Sequence, residues 1–157
     1  MSWSIIVLGD YWAHAHDTEQ ILFMSLAPEF LDSSDEFRQV SWLQDWKAYW
    51  LEHKSAHGNG CSDIALERFL DTELKIRQFR SFLAHYKIWL AAFGDAIAAA
   101  DINAKTDVPF YLIYTGPCSV DYLLAFATKI EDVLDGNLKN ESVRRKSLKV
   151  SAPQRQS

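Results

Sequence analysis

The feature that most constrains this chain is a helical period carried largely by aromatic residues. Phe37, Val40, Leu43, Trp46 and Trp50 recur at intervals of three and four. Leu66, Phe69, Leu70, Leu74, Phe79, Phe82, Leu83, Tyr86, Trp89, Leu90 and Phe93 keep the same rhythm. A turn of 3.6 residues puts such positions on one side of a helix, so both stretches read as helices that bury a face. Ser33-Ser-Asp-Glu36 has the form of a capping box and predicts that the first runs to about His53. Ser62-Asp63 caps the second, which Gly94 ends; any bend falls near residues 71–73. Between them His57-Gly-Asn-Gly-Cys61 reads as a loop.

Shorter elements surround these two. Residues 4–8, Ser-Ile-Ile-Val-Leu, read as a buried strand ending at Gly9-Asp10. Asp17-Thr-Glu-Gln20 is a second capping box, opening a short helix that Pro28 ends or kinks near Ala27. Residues 95–100 add a turn or two. The aromatic and β-branched run 109–115 is the best strand signal, bounded by Pro109 and Gly116-Pro117. Ser119 caps a last helix with Leu123, Phe126, Ala127, Ile130, Val133 and Leu134 on one face, stopped by Gly136-Asn137. The expected fold is therefore mainly helical α+β: about four helices packed with a small sheet containing 4–8 and 109–115. The alternative is an all-α bundle with these runs as extended connectors.

With 157 residues and 48% apolar composition, the chain suits one domain with a real core and is too short for a complete TIM barrel. We expect a single globular domain over 1–138 and a tail over 139–157, polar and without periodicity, that reads as disordered. The tail holds six basic residues and one acid, and the rest of the chain holds ten basic and twenty acidic residues. Seven acids precede the first basic residue, Arg38. A body of net charge −10 repels nucleic acid and favours cationic partners, which leaves the tail as the only place to meet a polyanion. Cys61 and Cys118 have no metal-type spacing and form no disulfide framework. The N-terminus lacks a basic n-region and no run approaches a membrane span, so a cytoplasmic protein is expected.

Three groups could carry chemistry. His14-Ala-His16-Asp17 places two imidazoles at a spacing that reaches one metal from an extended chain. It resembles the opening of the H-x-H-x-D-H motif of metallo-β-lactamases, but Thr18 stands at the Asp position and Glu19 at the last His position. It also resembles the H-x-H that opens amidohydrolases, whose barrel does not fit this length. His53 and His57 are four apart, though Gly58 adjoins the second. Cys61 precedes a helix start, where a thiol pKa falls, without the local signature of any cysteine enzyme.

A further group, Trp42, Trp46, Tyr49 and Trp50, is denser than one buried face requires and has Asp35, Glu36, Asp45 and Glu52 around it. Aromatic residues inside an acidic rim suit a protein interface, and a helix buried on two sides is the competing explanation. No nucleophile, base and stabiliser stand at a recognisable spacing, and no cofactor motif is present. The expectation is a non-catalytic acidic binding module without a cofactor. In kind, though through no motif, it is similar to immunity proteins and antitoxins that occlude a basic toxin. The alternatives are a small metal-dependent hydrolase using His14, His16 and Asp17, and a homo-oligomeric adaptor whose aromatic helices form a dimer seam.

Overall fold

The computed structural model describes residues 3–54, 62–106 and 114–136. Two strands come first, β1 (Trp3–Leu8) and β2 (Tyr11–His16), paired antiparallel with Leu8 opposite Tyr11 and Trp3 opposite His16. Only Gly9 and Asp10 separate them. Gly9 has φ +60°, the first central position of a II′ turn, which matches the right-handed twist of two paired strands. The partner of 4–8 is therefore the segment that follows it. Run 109–115 lies almost wholly outside the described residues, and its last two, Tyr114 and Thr115, are not in a strand.

Helix α1 (Asp17–Ser33) is the centre of the molecule, with 13 of its 17 residues buried. A helix apolar on every side has to sit inside, and the others pack around it. Phe23 shows this best. Its ring makes edge contacts with Trp50 at 5.1 Å, Tyr86 at 5.4 Å and Phe126 at 5.8 Å, one from each of three other helices. Of the two outcomes expected at Pro28, an end or a kink, the helix does not end there; Pro28 lies inside it. Its missing N–H and the clash with the carbonyl four residues back cost about 3 kcal/mol. The turn beyond it buries Phe30 and Leu31, worth about 1.5–3 kcal/mol each, so burial outweighs the local penalty. The N-terminus is also shifted by one residue from expectation. His16 is the N-cap, and its backbone N–H donates to Glu19 Oε2 at 2.8 Å, in place of the Asp17–Gln20 pairing.

Helix α2 (Ser41–His53) starts later than the expected capping box. Residues 34–39 form turns, in which Ser34 Oγ accepts from Phe37 N–H at 3.3 Å. The long second helix is two: α3 (Leu66–Phe69) and α4 (Glu73–Ala91), broken over 70–72 near the expected bend and restarted by Thr72, whose side chain accepts from Lys75 N–H. Next come β3 (Ala96–Ile97), α5 (Ala99–Thr106), β4 (Cys118–Ser119) and α6 (Val120–Asp135), with β3 and β4 paired antiparallel. Helix α6 follows its sequence signals: Ser119 caps it, Gly136 ends it at φ +68°, and the six named apolar positions are buried. Six helices and two small sheets thus make a mainly helical α+β fold among the described residues. No described helix is long and apolar enough to cross a membrane.

A buried polar chain connects four of these pieces. Gln20 is fully buried; its amide N–H donates to Ser4 Oγ on β1, and its Oε1 accepts from Ile64 N–H at 3.0 Å. Ser4 Oγ donates to Asp17 at 3.0 Å. The carbonyl of Ile64 accepts from the indole N–H groups of both Trp46, at 2.6 Å, and Trp50, at 3.1 Å. Segment 62–65, otherwise irregular, is held by these bonds, and Ala65 takes a left-handed conformation at φ 62° to leave it.

Replacing Gln20 with Leu keeps much of the volume and leaves the buried Ile64 N–H without an acceptor. We expect a loss of about 1–3 kcal/mol in urea unfolding at neutral pH. A loss below about 0.5 kcal/mol would show that Ile64 finds another partner.

Candidate partner-binding surface

A 3.6-residue turn divides the side chains of α2 into faces. Leu43, Trp46 and Trp50 point inward and are fully buried. Trp46 packs against Phe79 at 4.5 Å and Trp50 at 4.8 Å. With their indoles bonded to Ile64 and no exposed surface, Trp46 and Trp50 belong to the core, and their side chains do not reach a partner's surface in this fold. Here the helix buried on two sides is what the chain builds.

Trp42 and Tyr49, seven residues apart, lie on the flank and are half-buried. Trp42 Nε1–H donates to Gln78 Oε1 at 2.8 Å, and Lys75 Nζ sits 5.8 Å from its ring centroid. Tyr49 stacks on His53 at 3.8 Å, and the Arg68 guanidinium lies 5.1 Å from its centroid on the other element. Burial, and then the Asp63 carboxylate, push the Tyr49 phenol above its ordinary range. Asp45 and Glu52 are exposed on the same side of the helix. Asp35 and Glu36 are exposed on the preceding turn, where Asp35 pairs with Arg38 at 2.8 Å. The structure therefore brings Trp42, Asp45, Tyr49 and Glu52 onto one face and takes Trp46 and Trp50 away from it.

Electrostatics sharpen this face. Seven of the ten described cations are engaged in salt bridges, five of which join different elements. Lys129 holds the nearly buried Glu19 at 3.0 Å across α6 and α1, Lys105 holds Glu29, Lys47 holds Asp32, and Arg80 and Lys87 hold Asp135 and Glu131. Most of the positive charge is thus paired within the molecule, Lys54, Arg68 and Arg77 being the described cations outside these salt bridges. Among the described residues Glu36 and Asp45 stand exposed without an ion pair, as does Arg77 beside Glu36.

The other candidates are placed as follows. His14 and His16 lie on β2, and the His14 ring meets Trp12 edge-on at 5.1 Å. Asp17 is 4% exposed and accepts the Ser4 hydroxyl. Among the described residues no three His, Cys, Asp or Glu side chains are grouped as a metal centre needs. Cys61 and His57 fall outside the described residues. Cys118 is buried and burial pushes its thiol up, opposite to the activation a nucleophile needs. Missing from the sequence reading were Arg68, Lys75 and Gln78, which support the two flank aromatics from α3 and α4. Their tie to α2 spans 19 to 36 positions, and no local pattern encodes it.

Comparison with known protein families, with curated proteins and with solved structures finds no match for this chain.

The Tyr122 phenol is pushed up to about 12 by burial, then by the Glu19 carboxylate and Cys118. Folded, it keeps its proton to about pH 12, whereas the unfolded chain releases it near pH 10. Stability should therefore fall as pH rises through that window. In urea midpoints measured from pH 9 to pH 12, Tyr122→Phe is expected to show a shallower fall than the unmodified protein; equal slopes would refute the assignment.

Proposed function

We propose that this protein is a non-catalytic binding module that covers a basic surface of a partner protein, in the manner of an inhibitor or antitoxin that occludes an active site. The observation that carries the reading is the unequal use of charge. The body's cations are largely paired within the molecule, while Glu36 and Asp45 face solvent around two half-buried aromatic rings. Exposed carboxylates accelerate encounter with a cationic partner, and flat aromatic surface at the centre slows its departure. The contact set is Asp35, Glu36, Trp42, Asp45, Tyr49 and Glu52. Fixed backbone under these residues favours affinity, because little is left to order on binding.

A second reading has its own observation. The outer side of α4 exposes Leu74 at 57% and Ile88 at 70%, a surface on which two copies of the chain would meet. It predicts a mass that rises with concentration in light scattering, abolished by Ile88→Lys. A constant monomer mass rules it out.

For the first reading, tagged protein is used to capture partners at moderate salt, and the captured protein is then purified and titrated back. The expected partner is one basic protein whose association slows about tenfold with Asp45→Lys and with added salt. Its activity should be lost in the complex. A partner bound equally well by Asp45→Lys and Trp42→Ala proteins of unchanged fold would rule the face out.

A further inference from the structure

A groove of about 350 Å³ lies between the turn that precedes α2 and the first half of α4, lined by Glu36, Phe37, Val40, Arg77, Gln78 and Ser81. That volume falls in the range of small-molecule sites, roughly 300–1,000 Å³. Phe37 and Val40 give it an apolar floor, and Phe37 is fixed from behind by Phe30, Phe82 and His85. Its polar groups keep unused hydrogen-bonding capacity. Trp42 Nε1–H donates to Gln78 at 2.8 Å. An indole nitrogen only donates, so the accepting atom is the amide oxygen, and the Gln78 NH2 keeps both hydrogens. Among the described residues Arg77, the Ser81 hydroxyl and Glu36 make no hydrogen bond or ion pair, although Arg77 and Glu36 carry opposite charges on one groove.

A ligand of one sign would be drawn to one of these charges and repelled by the other. A ligand of both signs satisfies both. We propose that the groove binds a free α-amino acid with an apolar side chain. Its carboxylate meets the Arg77 guanidinium, which suits a bidentate contact, with Gln78 and Ser81 as further donors from the same helix. Its ammonium meets Glu36, and its side chain lies on Phe37 and Val40. The site needs no protein partner, so its failure and the failure of the partner reading are separate results.

The test is calorimetric titration of the full chain with L-phenylalanine, L-leucine and L-valine, and with 3-phenylpropionate and phenethylamine as one-charge analogues. At least one amino acid should bind one to one and saturate below about 10 mM, with both analogues at least about tenfold weaker than L-phenylalanine. Arg77→Gln and Glu36→Gln should each weaken the amino acid about tenfold or more. Both side chains are exposed, so unchanged circular dichroism is expected and confirms that the fold is intact. No saturation by any of the three amino acids overturns the proposal. So does an analogue that binds as well as L-phenylalanine, or a folded variant that binds like the unmodified protein.

Discussion

The peptide group of Ile64 is the point on which the arrangement depends. Its N–H is bonded to Gln20 on the central helix and its carbonyl to two indoles of α2. Each of these groups is buried, and a buried donor or acceptor left alone costs about 1–3 kcal/mol, more than the bond itself adds net. The network therefore acts less as glue than as a specification. Only the arrangement that brings β1, α1, α2 and segment 62–65 together leaves none of these groups orphaned. The aromatic residues then fill the space this sets, with Phe23 joining three helices at one ring.

Charge is organised on the same logic. Five of the ion pairs join elements far apart in the chain, from α1 to α2, α5 and α6 and from α4 to α6. Most of them are partly exposed and each contributes little to stability, typically below about 1 kcal/mol. Glu19 is the exception, because it is nearly buried and without Lys129 would keep the His16 N–H but lose its counter-charge. Their larger effect is on the outside. Pairing most of the cations within the molecule leaves Glu36 and Asp45, on the turn before α2 and on α2, exposed without an ion pair.

Local signals were legible and distant ones were not. The aromatic period announced α2 and α4, and Ser119 and Gly136 announced both ends of α6, because caps and periods are written within a few residues. The hairpin was legible too, since Gly9-Asp10 separates two runs by two residues, although His14 and His16 weaken the strand signal of the second run. Pro28 does not end α1, because its penalty is local while the burial that overrides it is not. For the site, a dense Trp42-to-Trp50 cluster could be seen, but not which rings turn inward. That choice depends on the Ile64 carbonyl, and nothing within α2 reveals it. The groove beside Trp42 joins residues about 40 positions apart and left no trace in either segment alone.

Two indoles four residues apart, aimed at one oxygen, have a consequence for how α2 can change over evolutionary time. They fix both its rotation and its axial position, since turning or sliding the helix by one residue would break both bonds together. Substitutions at the exposed Ser41, Asp45 and Ala48 are then freed from any duty to the fold. A lineage could replace the exposed side chains of this helix while the scaffold underneath stays the same.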